Sequence, residues 1–538
     1  IDVGNTLFKG RAKLDSFRQT IAEIFYPARA DFIGTNFALD NLAANGLDDA
    51  YPALMHRELG GIFSTMLRPR GARWATRATG REDIDAIPEV QQYQEEKSTR
   101  MFRALYDAPA RFVRAAKSTD MDYAAFGEGV LSAEITDRGH LFYRNHHLRD
   151  CAYLHDSYSK LNYMHRKDTM TARNLIERFP KADHHSSVRK AADKEPGKAI
   201  KIRHITMPAP DDKDGFPFVS IYIDADNSVI LQERKTKIFN YILPQWETLS
   251  GTRFAYSPAA IISFPDARML QQLSSIMIEA AELRIQPPMV AYTDALRSDI
   301  NVFPGGVTDV AGDYDARQGK PLEPMDFGTN VNIGVNMRQD VRSIIELAWY
   351  RDKINLPAQG DMTAFEFGER VKEMVRTSLP LFEPMEMEYN TPLLDMTHDL
   401  AETMGAFIDL DEDKPRELDD MPVIYKYDSP ISAAADRQKL AQFQESFQLI
   451  TSTGKLGEQV SAEMDLKKAL EDAIRGTGAP GSWWLDEAER EQVSEEEKQK
   501  QQVDAIMGDL GNVADAASVG SSIAKSTQDL EQAGLLTG

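Results

Sequence analysis

The chain has 538 residues, of which 42% are hydrophobic and 27% charged, so it can bury a sizeable core in several structural units and is neither fibrous nor disordered throughout. Its 62 basic and 84 acidic residues leave a net charge of −22. That excess excludes a protein that coats nucleic acid, because neutralising phosphates needs a basic surface, but not one that encircles a duplex without gripping it. The single cysteine, Cys151, excludes an internal disulfide and a cysteine-rich zinc site and points to a reducing compartment. No run of about 18 apolar residues is present, so no membrane-spanning helix is expected. Ile1-Asp2-Val3-Gly4 lacks the basic and apolar regions of a signal peptide, and the missing initial Met leaves room for preceding residues.

In chain order, Leu14, Phe17, Ile21 and Ile24 repeat at three and four residues and predict a first helix, stopped near Tyr26 by Pro27. A second helix is predicted over 51–67, ended by Arg68-Pro69-Arg70-Gly71, and a third over about 92–118. Gly127-Glu128-Gly129 then turns the chain into a strand through Ile135, with further short strands at 141–143 and 151–154. A helix at 170–179 and a polar loop or frayed helix at 181–198 follow. Strands with period-two alternation are predicted at 200–205 and 218–223, and a turn at 224–227 leads to a third at 229–231. Residues 127–243 therefore read as a sheet-rich domain packed on the N-terminal helices.

Ser263-Phe264-Pro265-Asp266 carries the cap, proline and acid of a helix start. A helix from there to Ile285, halted by Pro287-Pro288, would be about 30 Å long. Polar positions (Arg268, Gln272, Ser275, Glu279, Glu282) fall on one stripe and apolar ones (Leu270, Leu273, Met277, Ala280) on another. Short strands and turns are predicted over 288–335, a helix over 337–350, and a loop over 354–360. Thr363-Ala364-Phe365-Glu366 is a capping box opening a long helix that Pro380 and Pro384 kink or break. A strand at 421–427, a helix over 433–475, a linker at 476–481 and a weakly packed or disordered tail complete the chain.

Catalytic signatures are mostly missing. Gly454-Lys455 lacks the earlier glycine of a phosphate-cradling loop, and neither His-Glu-x-x-His nor Gly-x-Ser-x-Gly occurs. Asp409, Asp411 and Asp413 begin like a calcium loop, but Lys414 stands where the sharp turn needs glycine, so a solvated acidic loop is the reading. His146, His147, His155 and Cys151 could ligate a metal but lack ligand spacing and read as structural residues. Trp483-Trp484 could stack on bases, though its acidic neighbours favour packing or a subunit contact. No catalytic residue, metal or cofactor is assigned.

Several strings, in order, resemble the portal, or head-to-tail connector, proteins of short-tailed, podovirus-type phages. They are Phe25-Tyr26-Pro27-Ala28-Arg29-Ala30-Asp31-Phe32, Leu59-Gly60-Gly61-Ile62 with Leu67-Arg68-Pro69 and Trp74, and Phe126-Gly127-Glu128-Gly129-Val130-Leu131. Met170-Thr171-Ala172-Arg173-Asn174-Leu175, Tyr256-Ser257-Pro258-Ala259 and Pro265-Asp266 continue the series, which spans about 11–430. The resemblance implies an α+β portal fold in a ring, usually a dodecamer, at one capsid vertex. It implies a wing (1–262 and 363–432), stem helices (263–286 and 336–351), a small β-rich clip (287–335), a tunnel loop (352–362), a helical crown (433–475) and a C-terminal tail (476–538).

The implied function is structural rather than enzymatic: a conduit for double-stranded DNA in packaging and ejection. The implied partners are the terminase, tail adaptor, major capsid protein and internal core or scaffolding proteins, with no membrane. The implied location is the virion's head-tail junction after assembly in the host cytoplasm. A basic lumen would stall the duplex, so a predominantly acidic channel with isolated cations is expected. Arg338, Arg342, Lys353 and Gln359 are the candidates for light DNA contact, with inter-subunit ion pairing as the alternative for the three cations. Arg297, Arg317 and Lys320 are the candidates for the clip's contact with DNA or adaptor, or else exposed loop charges. Two other readings are a tail or baseplate component and, less favoured, a metal-dependent hydrolase built on 146–155.

Overall fold

A computed structural model describes residues 1–34, 46–70, 73–210, 213, 215–291, 296, 299–300, 309–310, 317, 320, 322–325, 331–351, 383–419, 421–427 and 470. The expected tunnel loop, the capping-box helix, the 433–475 helix, the tail and Trp483-Trp484 lie outside these residues. The described residues fall into two compact units, within 1–75, 99–408 and 427–445 for the first and within 76–98, 409–426 and 446–538 for the second.

The first unit mixes helices and antiparallel sheet. Helices α1 (Asp2–Gly10), α2 (Ala12–Phe25) and α3 (Tyr51–Leu67) come first. The helix expected over 92–118 is instead two, α4 (Pro88–Leu105), of which 88–98 belong to the second unit, and α5 (Phe112–Phe126). Between them Asp107 caps a 3-10 turn through Ala108 N, and Arg111 takes a left-handed φ of 51°, which no continuous helix tolerates. Helix α5 ends at Gly127, whose φ of 75° and backbone approach to Tyr256 leave no room for a side chain: a Cβ there would lie 2.0 Å from the Tyr256 carbonyl carbon.

After β1 (Ala75–Ala78), the strands β2 (Val130–Ile135), β3 (Leu141–His146) and β9 (Tyr241–Ile242) form a three-stranded sheet in the order β3-β2-β9. Strands β4 (Cys151–His155), β5 (Leu161–Thr171), β6 (Ala199–Pro208), β7 (Phe218–Asp224) and β8 (Val229–Thr236) form an antiparallel meander in that order, and β10 (Glu247–Thr248) pairs antiparallel with β11 (Ala255–Tyr256). Helix α6 (Ala172–Arg178) begins where β5 ends, with Thr171 as its cap, so the predicted 170–179 helix is shorter than expected. The polar 181–198 segment contains a formed helix, α7 (Ser186–Lys194), which buries Val188 and Ala191 against Leu175, Phe179, Ile202 and Tyr222.

Arginines join separated elements through buried carboxylates. Arg29 makes a bidentate bond to Asp122 (2.9 and 2.8 Å), which also accepts from Asn145 at 2.9 Å. Arg18 pairs with Glu128, which also accepts the Tyr153 hydroxyl at 2.5 Å. Arg68 pairs with Asp120 and reaches Asn390 at 2.7 Å. Glu128 and Asp120 are fully buried, and burial raises the Asp120 pKa against the opposing pull of the Arg68 charge.

Helix α8 (Pro258–Ile285) does not start at Ser263. Ser257 is the cap, accepting from Ala260 N at 3.2 Å while its hydroxyl donates to Ala124 O at 2.6 Å, and Pro258 fills the first turn. The same cap-and-proline signature recurs at 263–265, but there Pro265 sits inside the helix. Its missing N–H leaves the Ile261 carbonyl without a helical donor. The 28 residues make a rod about 42 Å long. Helix α9 (Val331–Ala348) begins six residues earlier than predicted, and the short ribbon of β12 (Met289–Ala291) and β13 (Leu322–Pro324) lies between the two helices in sequence. The π-helical turn Glu386–Asn390 leads into α10 (Thr391–Thr403).

In the second unit, Ile84, Val90, Tyr93 and Leu418 form a small core with Ile87, Leu410 and Met421 around it. Asp411 accepts from Lys97 at 2.7 Å and from the Tyr93 hydroxyl at 2.6 Å, so it is a structural anchor rather than a calcium ligand. Strand β14 (Ile424–Tyr427) pairs with β1. Among the described residues no helix is long and apolar enough to cross a membrane.

The base of the α8–α9 pair is a packed aromatic cluster. Trp349, 2% exposed, donates its indole N–H to Ser263 at 2.8 Å and packs against Phe25 and His56. Trp349→Ala is expected to cost about 3–5 kcal/mol, measured as loss of unfolding free energy in urea. Burial pushes the His56 imidazole down to about 4, while the unfolded chain protonates near 6.5. Stability is therefore complete above pH 6.5 and falls as the pH drops toward 4, by about 3 kcal/mol over that window. Thermal melts at pH 7 and 4.5 are expected to show a larger fall in Tm for the native chain than for His56→Phe.

Candidate functional site

The residues expected to touch DNA or an adaptor centre on α8, α9 and the ribbon between them. The two helices run antiparallel: Ser263 meets Trp349 at the base, and Gly334 lies so close to Met277 that a Cβ there would be 3.2 Å from its Cγ. The ribbon continues the same register, pairing Met289 with Pro324 and Ala291 with Leu322. Leu270, Ala267, Val341 and Ile345 bury the lower half, whereas beyond Ser274 no residue of α8 is buried.

Asp49, at the entrance to α3, staples this pair. It accepts from Arg342 of α9 at 2.8 Å and from Ser274 of α8 at 3.1 Å, and its backbone exchanges bonds with Gln271 (3.0 and 2.6 Å). Arg342 also lies over the Tyr51 ring, 4.9 Å from its centre. The Arg342 charge is thus bound within its own chain, an arrangement sequence reading missed because the two residues are 293 positions apart. The one sequence signal was local: Asp49 accepts from Tyr51 N at 2.9 Å, as an acidic residue before a helix does. Arg338 is half-buried and forms no ion pair with a described residue. Arg317 and Lys320 are exposed. Arg297, Lys353 and Gln359 lie outside the described residues. The structure therefore brings Arg338 and Arg342 onto one helix.

The described helix pair carries little net charge. Helix α8 has Asp266, Glu279 and Glu282 against Arg268 and Arg284; α9 has Asp340 and Glu346 against Arg338 and Arg342. Its apolar residues are the unusual feature. Ile262, Met269, Ile276 and Leu283 recur every seven residues within an arc of about 60°, and all are exposed, Ile276 by 60%. Ile333, Met337, Ile344 and Leu347 make a second exposed stripe on α9.

The histidines of the sheet region do not form a catalytic or metal centre. His147 pairs with Asp31 at 2.5 Å, whereas His146 is held by Arg166, which donates to Nδ1 at 3.0 Å. That fixes Nε2 as the protonated nitrogen, so it donates to Ser132 at 2.8 Å and cannot act as a base toward that hydroxyl. Burial, then the Arg166 charge, pushes the His146 pKa well down. Burial pushes the Cys151 thiol up to about 12, far from a reactive thiolate. His398, Asp399 and Glu402 have donor atoms within 4.8 Å of one another, but they lie on one helix, two of them exposed, and Asp399 already bonds His398 at 3.3 Å.

The "Probable portal protein" of Bordetella phage BPP-1 is 24% identical over 367 residues, 66% of this chain and 65% of its own. The "Portal protein" of Salmonella phage epsilon15 is 21% identical over 383 residues, 69% of this chain and 67% of its own. The chain thus spans about two thirds of the length of these curated relatives. A chain of the solved "Neck of empty GTA particle computed with C6 symmetry" aligns over 78% of this chain and 94% of its own, with 10% identity and a TM-score of 0.33. The profile of the family described as "Bacteriophage head to tail connecting protein" matches residues 3–484, and the chain belongs to that family.

Proposed function

We propose that the chain is a portal protein, a non-enzymatic ring subunit at the head-tail junction of a phage virion. The observation that carries this reading is the pair of apolar stripes left in water on α8 and α9. Burying one such side chain is worth about 1.5–3 kcal/mol, and among the described residues nothing covers these eight. A ring, in which α8 of one copy lies against α9 of the next, covers both stripes at once. The names of the two phage relatives and the family match support the same reading.

In this reading α8 and α9 are stem helices, the ribbon and its flanking residues are the clip, and 352–362 reaches toward the DNA. About twelve copies enclose the duplex, the clip meets a tail adaptor and the terminase, and the wing faces the capsid protein and internal scaffolding or core proteins. Assembly takes place in the host cytoplasm. The near-neutral stem fits a lumen that lets a duplex slide, because few cations are free to condense on phosphates. Arg342, already paired with Asp49, is a structural cation in this scheme, and Arg338, Lys353 and Gln359 remain the candidates for DNA contact.

End-on electron micrographs of the purified chain are expected to show rings of about twelve with an open axis. Sixfold or threefold assemblies would favour a tail component, and a stable monomer would end the reading. The double variant Ile276→Glu, Ile344→Glu is expected to shift the ring to monomers in sedimentation without loss of helical signal. Lys353→Glu with Gln359→Glu is expected to lower DNA retention in a packaging assay while leaving rings intact; unchanged retention would remove the 352–362 assignment.

A further inference from the structure

A cleft of about 940 Å³ opens between the three-stranded sheet and the five-stranded meander, with residues of α6 and α10 in its lining. Six basic side chains line it against four carboxylates, the reverse of the balance in a chain of net charge −22. His146 and His204 lie at its floor, both buried. Each ring is engaged at both nitrogens, His146 by Arg166 and Ser132, and His204 by the Tyr241 hydroxyl and by Ser220 at 2.8 Å. Burial, then the Arg166 charge, pushes both imidazole pKa values well down, so these rings are neutral and the positive charge at the floor is that of Arg166.

That charge is under-satisfied. Arg166 is 5% exposed, and its Nε has no hydrogen-bond partner among the described residues. Its contacts with His146 (3.0 Å) and Asp168 (3.4 Å) both leave from Nη1. Arg144 approaches the same Asp168 oxygen at 3.8 Å, so two guanidiniums share one oxygen, and both distances exceed the reach of a charge-assisted bond. One carboxylate leaves this pair with a net positive charge and is too distant to satisfy either member. Arg178 stands at the mouth, where it meets the Glu134 carboxylate at 3.3 Å and the Tyr222 hydroxyl at 3.4 Å. Buried donors are rarely left unpaired, and a buried guanidinium without a close counter-charge is costly.

We propose that this cleft binds a small phosphoryl anion, of the phosphate or pyrophosphate class, on Arg166 and Arg144, with Arg178 at its mouth. A guanidinium fork matches two oxygens of a phosphoryl group, and a tetrahedral anion keeps further oxygens for a second guanidinium, which a planar carboxylate does not. Arg144 and Arg178 are exposed, so an anion enters from solvent past their charge. Arg144 belongs to β3 and Arg166 to β5, so the bound anion ties the three-stranded sheet to the meander and stabilises their contact. The proposal is independent of ring formation, since every residue it uses lies outside α8 and α9.

The test uses the full chain and sodium pyrophosphate, followed by calorimetric titration and thermal melts, with sodium chloride at matched ionic strength as the control. Saturable binding and a rise in Tm above the chloride control are expected. Arg166→Met is expected to abolish both. Arg144→Gln with Arg178→Gln, at exposed positions, is expected to weaken binding about tenfold and serves if the buried variant does not fold. Asp168→Asn is expected to tighten binding severalfold, because it removes the competing carboxylate, whereas a purely structural ion-pair network gives no such gain. ATP is expected to bind no more tightly than pyrophosphate; tighter binding would place the phosphoryl group on a nucleotide and reject the free anion. The proposal is overturned by the absence of saturable binding, by melts that chloride reproduces, by undiminished affinity in the arginine variants, or by no gain in Asp168→Asn.

Discussion

The structure depends on locking the lower end of a helical hairpin whose upper part has no core of its own. Beyond Ser274, α8 buries nothing, so its direction is set where Trp349 meets Ser263 and where Asp49 holds Arg342, Ser274 and Gln271 together. The Asp49 staple is polar and half-hidden, and the aromatic cluster beneath it is dry. Together they let the same antiparallel register run from the tryptophan through Gly334 and Met277 into the ribbon. A hairpin fixed this way can present apolar residues to a neighbour at defined heights, which is what a closed ring of copies needs.

The remainder of the first unit serves as an anchor for that hairpin. Arg18, Arg29 and Arg68 each cross from one element to another and end on a buried carboxylate. Removing either member of such a pair leaves a charge in low dielectric, so the pairs fix relative placement more strongly than they add stability. Ser257 links the start of α8 to the end of α5 through Ala124, and Gly127 lets the chain pass under Tyr256 at the same place. The N-terminal helices, the sheets and the long helices therefore converge at 124–128 and 256–257, two of the segments on which the family resemblance rests.

Legibility in the sequence followed the range of the forces involved. Periodicity gave α2, α3, β7 and the cores of α8 and α9, because an apolar stripe is a local pattern. The break at 107–111 was missed because Arg111 adopts a left-handed φ that nothing in its identity announces. Strand β5, the longest of the meander, was missed because His165, Arg166, Lys167 and Asp168 read as surface; tertiary pairing with β4 and β6 overrides that composition. The start of α8 was misplaced because two Ser/Pro signatures compete six residues apart, and only the bond from Ser257 to Ala124 decides between them. For the site, the candidate cations were legible as residues, but the Asp49–Arg342 pair was not, since no local rule joins a loop before the third helix to the ninth.

Cys151 has a practical consequence. The only sulfhydryl of the chain is 0% exposed and has its ionisation suppressed by burial. Maleimide chemistry on the native chain should therefore meet almost no background, and a cysteine installed at Lys320 or Ser275 would carry the dye alone. In an assembly of identical copies every subunit would then bear a single fluorophore at one radius, so energy transfer between neighbours becomes a ruler for subunit number and spacing without any change to the native thiol.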